Sequence, residues 1–314
     1  MTNRRDFLVK VAMAAGAVSI FEPLNLFANV GAKLPFPAGK NMLTILHTAK
    51  TKSQWAALGT SAEMAGVGGW QQVARKIADI KKENRSVLVI NAGTLPGGHH
   101  QTKEARLKFY KKLSETGYDA TTPGSANFAE GEKCFKELIK ECGLNMIGSD
   151  NQFAAEANAL PYSIIKKGRK QIGVINAGKT VLKSSRNTPI LNAAAALNQT
   201  AHLLRTSKNC SLIICIVECP YKKCTQLAGL STGVDVVISA TERTTLHNTQ
   251  IVRNKLNNEV IISYAGGKAV MMSRIDLTFN DKGDKINMAS KAIFAGADDG
   301  SYASILNRCA MNNA

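Results

Sequence analysis

Short apolar runs that alternate with stretches of helical period constrain the fold of this chain more than any other feature. Residues 42–48, 86–91, 171–176, 212–217 and 234–239 read as strands, with a shorter one at 119–122. Between them, residues 69–84 carry Val73, Ile77 and Ile80 at helical spacing with basic residues in the gaps. Residues 102–116 and 130–142 repeat that pattern, the latter closed by Gly143, and residues 191–205 form an Ala-rich fourth helix. From Val260 the order changes to consecutive strands, 260–264 and 269–279, followed by a turn at 280–283. Alternating strands and helices followed by strands in succession predict an α/β domain built on a mixed sheet or on two packed sheets. No internal repeat and no domain boundary after residue 40 interrupts the pattern, so residues 33–314 are read as one domain.

Composition narrows the partners rather than the fold. With 45% hydrophobic residues the chain has ample material for a core, which excludes a disordered protein. The net charge of +17 would draw the surface toward anionic surroundings, although a plain solubilising shell explains it equally simply. No short basic cluster interleaved with aromatics is present, which argues against a nucleic-acid groove.

Residues 1–32 read as a targeting segment. Asn3-Arg4-Arg5-Asp6-Phe7-Leu8 opens with paired arginines, a weakly apolar stretch at 11–21 follows, and small residues near Ala28 and Ala32 offer cleavage points. The segment resembles a twin-arginine signal, which implies export to the periplasm or cell envelope. Its apolar run is short for a bilayer span, so membrane attachment is expected only through an uncleaved signal. The seven cysteines include four between 210 and 224, but no C-x-x-C spacing, so they read as core or loop thiols rather than metal ligands. A Cys219–Cys224 disulfide is compatible with an oxidising compartment and remains the alternative.

Met42-Leu43-Thr44-Ile45-Leu46-His47-Thr48, followed by Ala49-Lys50-Thr51-Lys52-Ser53, resembles the opening motif of the 5′-nucleotidase metallophosphoesterases. The likeness continues through Gly68-Gly69 and Val87-Leu88-Val89-Ile90-Asn91-Ala92-Gly93-Thr94. It runs on in Gly117-Tyr118-Asp119-Ala120-Thr121-Thr122-Pro123-Gly124 and Ser125-Ala126-Asn127-Phe128, then in Val234-Asp235-Val236-Val237-Ile238-Ser239 and Tyr264-Ala265-Gly266-Gly267-Lys268. Each block is weak alone, but their order and spacing hold over residues 42–280. The resemblance implies a metallophosphoesterase-like fold: a four-layer sandwich of two mixed β-sheets flanked by helices, with the site at the sheets' carboxyl edge.

The same resemblance implies a site for two divalent ions, and at its ligand positions this chain departs from the family. The Asp and His of the opening motif correspond to Lys50 and Lys52, and the metal-bridging Asp to Thr94. The Asn and catalytic His of the Gly-Asn-His-Glu block correspond to Ser125 and Ala126, a later ligand His to Glu218, and the final paired His to Thr241 and Arg243. Lys50, Lys52 and Arg243 would repel a dinuclear centre by several kcal/mol, by Coulomb's law at short range. No metal cofactor is therefore expected. A candidate anion pocket at the former metal site comprises Lys50, Lys52, Thr94, Ser125, Glu218 and Arg243; the plainer reading is that Glu218 neutralises the cations and plugs it, or that the site has simply drifted.

Other residues offer little chemistry. His99 and His100 are adjacent, so in an extended chain their side chains diverge, which disfavours joint metal binding. His47 keeps the family residue without being a ligand position and reads as a satisfied histidine beside the sheet edge. No Gly-x-Ser-x-Gly elbow and no Cys/His pairing is present. About 35 residues follow Phe279, too few for the second domain that holds the nucleoside in active members. The expectation is an exported, catalytically inactive protein that binds an anionic ligand such as phosphate, or a separately encoded nucleotidase chain. The alternative is a phosphoesterase or nucleotide hydrolase with residual or altered metal-dependent activity.

Overall fold

The computed structural model of the protein describes residues 41–49, 51, 68–84, 86–93, 102–123, 132–147, 161–178, 188–240, 249–266 and 269–296. The apolar runs become strands because both of their faces find cover. β1 (Met42–Ala49), β2 (Val87–Ala92) and β3 (Ala120–Thr121) lie parallel in a five-stranded sheet, which β10 (Met271–Phe279) and β11 (Lys285–Phe294) extend antiparallel in the order β11-β10-β1-β2-β3. A six-stranded sheet has the order β4-β5-β6-β7-β9-β8. In it β5 (Lys170–Gly178), β6 (Leu212–Val217), β7 (Val236–Ser239) and β9 (Glu259–Tyr264) are parallel. β4 (Tyr162–Lys167) and β8 (Gln250–Arg253) run antiparallel at its two edges.

Period-two alternation sends each strand's side chains to two different layers. Leu43, Ile45, Leu88 and Ile90 of the first sheet share one buried cluster with Ile172, Ile214, Ile216 and Ile238 of the second, so the sheets pack face to face. On the outer face of the first sheet, Leu46 and Val89 pack against α1 (Trp70–Glu83), α2 (Lys103–Glu115) and α3 (Glu132–Cys142). Outside the second sheet, Ile213, Cys215, Val217 and Val237 pack against α4 (Thr188–Thr206) and α5 (Tyr221–Leu230). The result is the expected four-layer arrangement.

The helices start and stop where local chemistry directs. Val73, Ile77 and Ile80 form the buried stripe of α1, and Trp70 at its start stacks on Tyr118 with ring centroids 5.2 Å apart. Thr102 caps α2, its hydroxyl accepting the Ala105 N–H at 3.2 Å. Gly143 ends α3 with φ +66°, its N–H returning to the Ile139 carbonyl at 3.1 Å.

One device recurs in both sheets. Asp119, just before β3, accepts the Val89 N–H at 2.8 Å and pairs with Lys167 at 2.7 Å. Asp235, just before β7, accepts the Ile213 N–H at 2.6 Å and pairs with Arg205. Each carboxylate closes the entry of one parallel strand and ties its neighbour to a cation from another element.

Four elements escape the sequence pattern: β4, α5, β8 and β11. Both β4 and β8 are edge strands that alternate half-buried and exposed residues, and β11 is mostly exposed until Ile293. Among the described cysteines, Cys134 is half-buried and Cys142, Cys210, Cys215, Cys219 and Cys224 are buried, as core thiols should be. Cys309 lies outside the described residues. No described helix is long and apolar enough to cross a membrane.

Candidate functional site

The parallel strands of both sheets end on one edge, where backbone contacts draw the strand ends together. In the first sheet Ala49 pairs with Ala92, and the Thr122 N–H donates to the Asn91 carbonyl at 3.0 Å. The Gly93 N–H then donates to the Thr122 hydroxyl at 2.9 Å. In the second sheet the Ala240 N–H donates to the Val217 carbonyl at 2.8 Å. The two halves meet directly: a Cβ placed on Gly93 would lie 3.0 Å from the Ala240 Cβ. Gly93 has φ +70°, so this closure requires glycine for both conformation and space.

Polar side chains reinforce the same edge on its helix-facing side. The Thr48 hydroxyl donates to Asn91 Oδ1 at 2.9 Å and lies 3.1 Å from the Tyr118 hydroxyl. Asn91 Nδ2 points to the Gly93 carbonyl at 3.4 Å. Burial pushes the Tyr118 phenol far above its ordinary value, so it stays protonated and serves as a hydrogen-bonding group. Thr48, Asn91 and Thr122 thus hold the strand ends in place, a role that the bare motif does not announce.

Of the six candidate pocket residues, Glu218 is described. It follows β6 directly, half-buried, in the turn that leads through Cys219 and Pro220 into α5. Lys50, Lys52, Thr94, Ser125 and Arg243 lie outside the described residues, as do Ala126, Thr241, His99, His100 and His247. Gly93 and Ala240, which precede Thr94 and Thr241, are described, and they approach so closely that a Cβ on Gly93 would lie 3.0 Å from that of Ala240. Among the described residues, no group of three His, Cys, Asp or Glu side chains could hold a metal ion. The described groove of about 420 Å³ is lined by Ile190, Leu191, Gln226, Gly229 and Leu230 of α4 and α5, and by none of the strand-end residues.

His47 differs from its expected place beside the sheet edge. It sits fully buried between the two sheets, with Nε2 2.7 Å from the Ser263 hydroxyl. Its Nδ1 has no hydrogen-bond partner among the described residues, so only half of its hydrogen-bonding capacity is satisfied. Burial depresses its pKa from 6.5 to about 3, and the ring is neutral at physiological pH. Alternation explains the place: Leu43, Ile45 and His47 share one face of β1, and that face is the inter-sheet layer. The proximity of Cys219 and Cys224, with sulfurs 2.9 Å apart, exceeds what their spacing alone conveys.

Comparison with known proteins agrees with the sequence motifs and the four-layer fold. No family model matches the chain. A 5′-nucleotidase of snake venom from Crotalus adamanteus is 24% identical, with 85% of this chain and 50% of the relative covered. A probable 5′-nucleotidase of Treponema pallidum is 25% identical, with 66% and 37% covered. The chain thus spans about half the length, or less, of these curated relatives. Among solved structures, a 5′-nucleotidase precursor from Thermus thermophilus superimposes with a TM-score of 0.67 at 16% identity, covering 87% of this chain and 59% of that one. A calcineurin-like phosphoesterase from Bacillus subtilis gives 0.62 at 14% identity, covering 87% and 97%. The chain is thus similar in sequence to 5′-nucleotidases, and it shares its fold with a 5′-nucleotidase and a calcineurin-like phosphoesterase.

Proposed function

We propose that this chain keeps the 5′-nucleotidase scaffold without its two-metal chemistry, and that it acts after export as a binding or partner protein whose strand-end pocket takes an anion. One mismatch between backbone and donors supports the reading. The strand ends that precede the family's ligand loops meet here, with Gly93 against Ala240. At the matching ligand positions stand Lys50, Lys52, Thr94, Ser125, Glu218 and Arg243.

A pair of divalent ions needs several oxygen and nitrogen donors with lone pairs to give. Ammonium and guanidinium groups have none, and Glu218 alone among the six brings a carboxylate. That donor set does not fit two metal ions, and no catalytic step through them follows. Three cations and the two hydroxyls of Thr94 and Ser125, at those positions of the sequence, would suit phosphate or a similar small oxyanion instead, as charge-assisted donors. The segment 1–32 supplies the twin-arginine-type export signal in this reading. Because that route carries folded and preassembled chains, a separately encoded nucleotidase chain is the kind of partner it would deliver alongside.

The test combines two assays on the purified chain. With Mg²⁺, Mn²⁺ or Zn²⁺ supplied, a nucleoside 5′-monophosphate and a generic phosphate monoester are expected to remain unhydrolysed above the buffer rate. Calorimetric titration with inorganic phosphate is expected to show binding that weakens with added salt and disappears in the Lys50→Glu/Lys52→Glu double variant. Metal-dependent turnover would overturn the proposal in favour of a phosphoesterase with substitute ligands. Turnover-free protein that ignores phosphate would remove the anion pocket and leave the partner role.

A further inference from the structure

We infer that Cys219 and Cys224 form a redox pair that closes to a disulfide when a small disulfide or an oxidised dithiol protein supplies the oxidising equivalents, and reopens under reducing thiols. The inference stands on geometry alone and is independent of what the strand-end site binds.

The two sulfurs lie 2.9 Å apart, and both residues are fully buried against the helix-facing side of the second sheet. Bonded sulfurs are about 2.05 Å apart, so closure asks for a displacement of roughly 1 Å or less, within reach of side-chain rotation. The backbone holds both residues ready. Cys219 occupies the turn between half-buried Glu218 and exposed Pro220, and its carbonyl accepts from the Ser239 hydroxyl at 3.4 Å. Cys224 sits in the opening turns of α5, its N–H donating to the Pro220 carbonyl at 3.1 Å and its thiol lying 3.3 Å from the Cys219 carbonyl. The third thiol of this cluster, Cys215, is held inside β6, flanked by Ile175 of β5 and Val237 of β7.

Because both thiols are buried, the β6–α5 turn beside exposed Pro220 must first open, which brings Cys219 rather than helix-held Cys224 to the incoming disulfide. Its thiolate attacks one sulfur of the incoming disulfide, forming a mixed disulfide and expelling the other sulfur as a thiolate. The Cys224 thiolate then attacks the Cys219 sulfur, the Cys219–Cys224 bond forms and the second foreign sulfur leaves. The two thiol protons end on the two released thiols, and the two electrons reduce the incoming disulfide. The product ties the β6–α5 turn to the helix and fixes the residue immediately before it, Glu218.

The experiment uses the full chain, fully reduced and then equilibrated in glutathione buffers of rising oxidised fraction. Remaining thiols are alkylated in denaturant, counted by intact mass and mapped after trypsin digestion. Cleavage after Lys222 and Lys223 separates the two cysteines, so the bonded pair appears as two linked peptides that part on reduction. Of the seven thiols, two are expected to be lost together, with Cys219 and Cys224 as the linked residues. Retention of all seven at the most oxidising ratio, or linkage through other cysteines, would overturn the inference. Cys219→Ser and Cys224→Ser should each abolish the linked peptides, and the wild-type map decides even where a variant does not fold.

Discussion

His47 and Ser263 join the two sheets, Nε2 to Oγ at 2.7 Å, in the layer that also holds the largely aliphatic cluster between them. Ser263 belongs to β9 of the second sheet, and its hydroxyl lies 3.0 Å from that of Ser273 in β10 of the first. His47 and Ser273 are themselves cross-strand partners in the β1–β10 ladder, so Ser263 bridges two neighbours of the opposite sheet. Apolar packing is non-directional and tolerates sliding, whereas this bridge has one geometry. It fixes how the sheets lie over one another, and with them the strand ends.

The bridge has a pH signature. The folded protein holds His47 neutral down to about pH 3, while in the unfolded chain it takes up a proton near 6.5. Below 6.5 the unfolded state therefore binds more protons, and the contribution of His47 to stability is whole above 6.5 and erodes as the pH falls toward 3. The slope from this group approaches about 1.4 kcal/mol per pH unit. Urea unfolding between pH 7 and 4 should show a steeper loss in the wild type than in His47→Gln. Equal slopes would mean that the ring is not buried as described.

Gly93→Ala should destabilise the protein by about 1–3 kcal/mol, because it adds positive-φ strain and crowds Ala240. Gly143→Ala is the matched control: it shares a positive φ, but nothing lies within 4 Å of its added methyl. It should cost about 1 kcal/mol. Chemical denaturation of the two variants isolates the close approach of the strand ends, and equal losses would deny it.

Asp119→Ala and Asp235→Ala should each cost about 1–3 kcal/mol by orphaning a strand N–H and a cation. The N–H groups are those of Val89 and Ile213, and the cations Lys167 and Arg205. Amide exchange is the sharper readout. Protection should fall first at Val89 in one variant and at Ile213 in the other.

Closing a six-residue loop between Cys219 and Cys224 restricts the unfolded chain and should raise stability by about 2 kcal/mol in the chain-entropy picture. Thermal melts of the oxidised and reduced full chain measure it. A lower melting temperature on oxidation would show that the bond strains the β6–α5 turn.

Most of the scaffold was legible in the sequence because its strands are buried on both faces. Leu212–Val217 is an unbroken apolar run for that reason, and α1 displays Val73, Ile77 and Ile80 because only one of its faces is covered. Edge strands carry a fainter signal. Tyr162–Lys167 and Gln250–Arg253 pair on one side only and keep polar or half-exposed residues, so no apolar run marks them. The place of His47 was hidden as well, since nothing local reveals that its partner is Ser263 on the other sheet. Cys219 and Cys224 are five residues apart, which is no helical neighbour spacing, and they meet only because one of them precedes the helix.

Elemental analysis addresses the central claim most directly. The purified chain would be incubated with excess Mn²⁺ and Zn²⁺, freed of unbound ions and assayed for metal per polypeptide. If Lys50, Lys52 and Arg243 stand at the family's ligand positions, as proposed, the expected content is well below one equivalent. Two equivalents, tightly held and removable only by a chelator, would contradict the account.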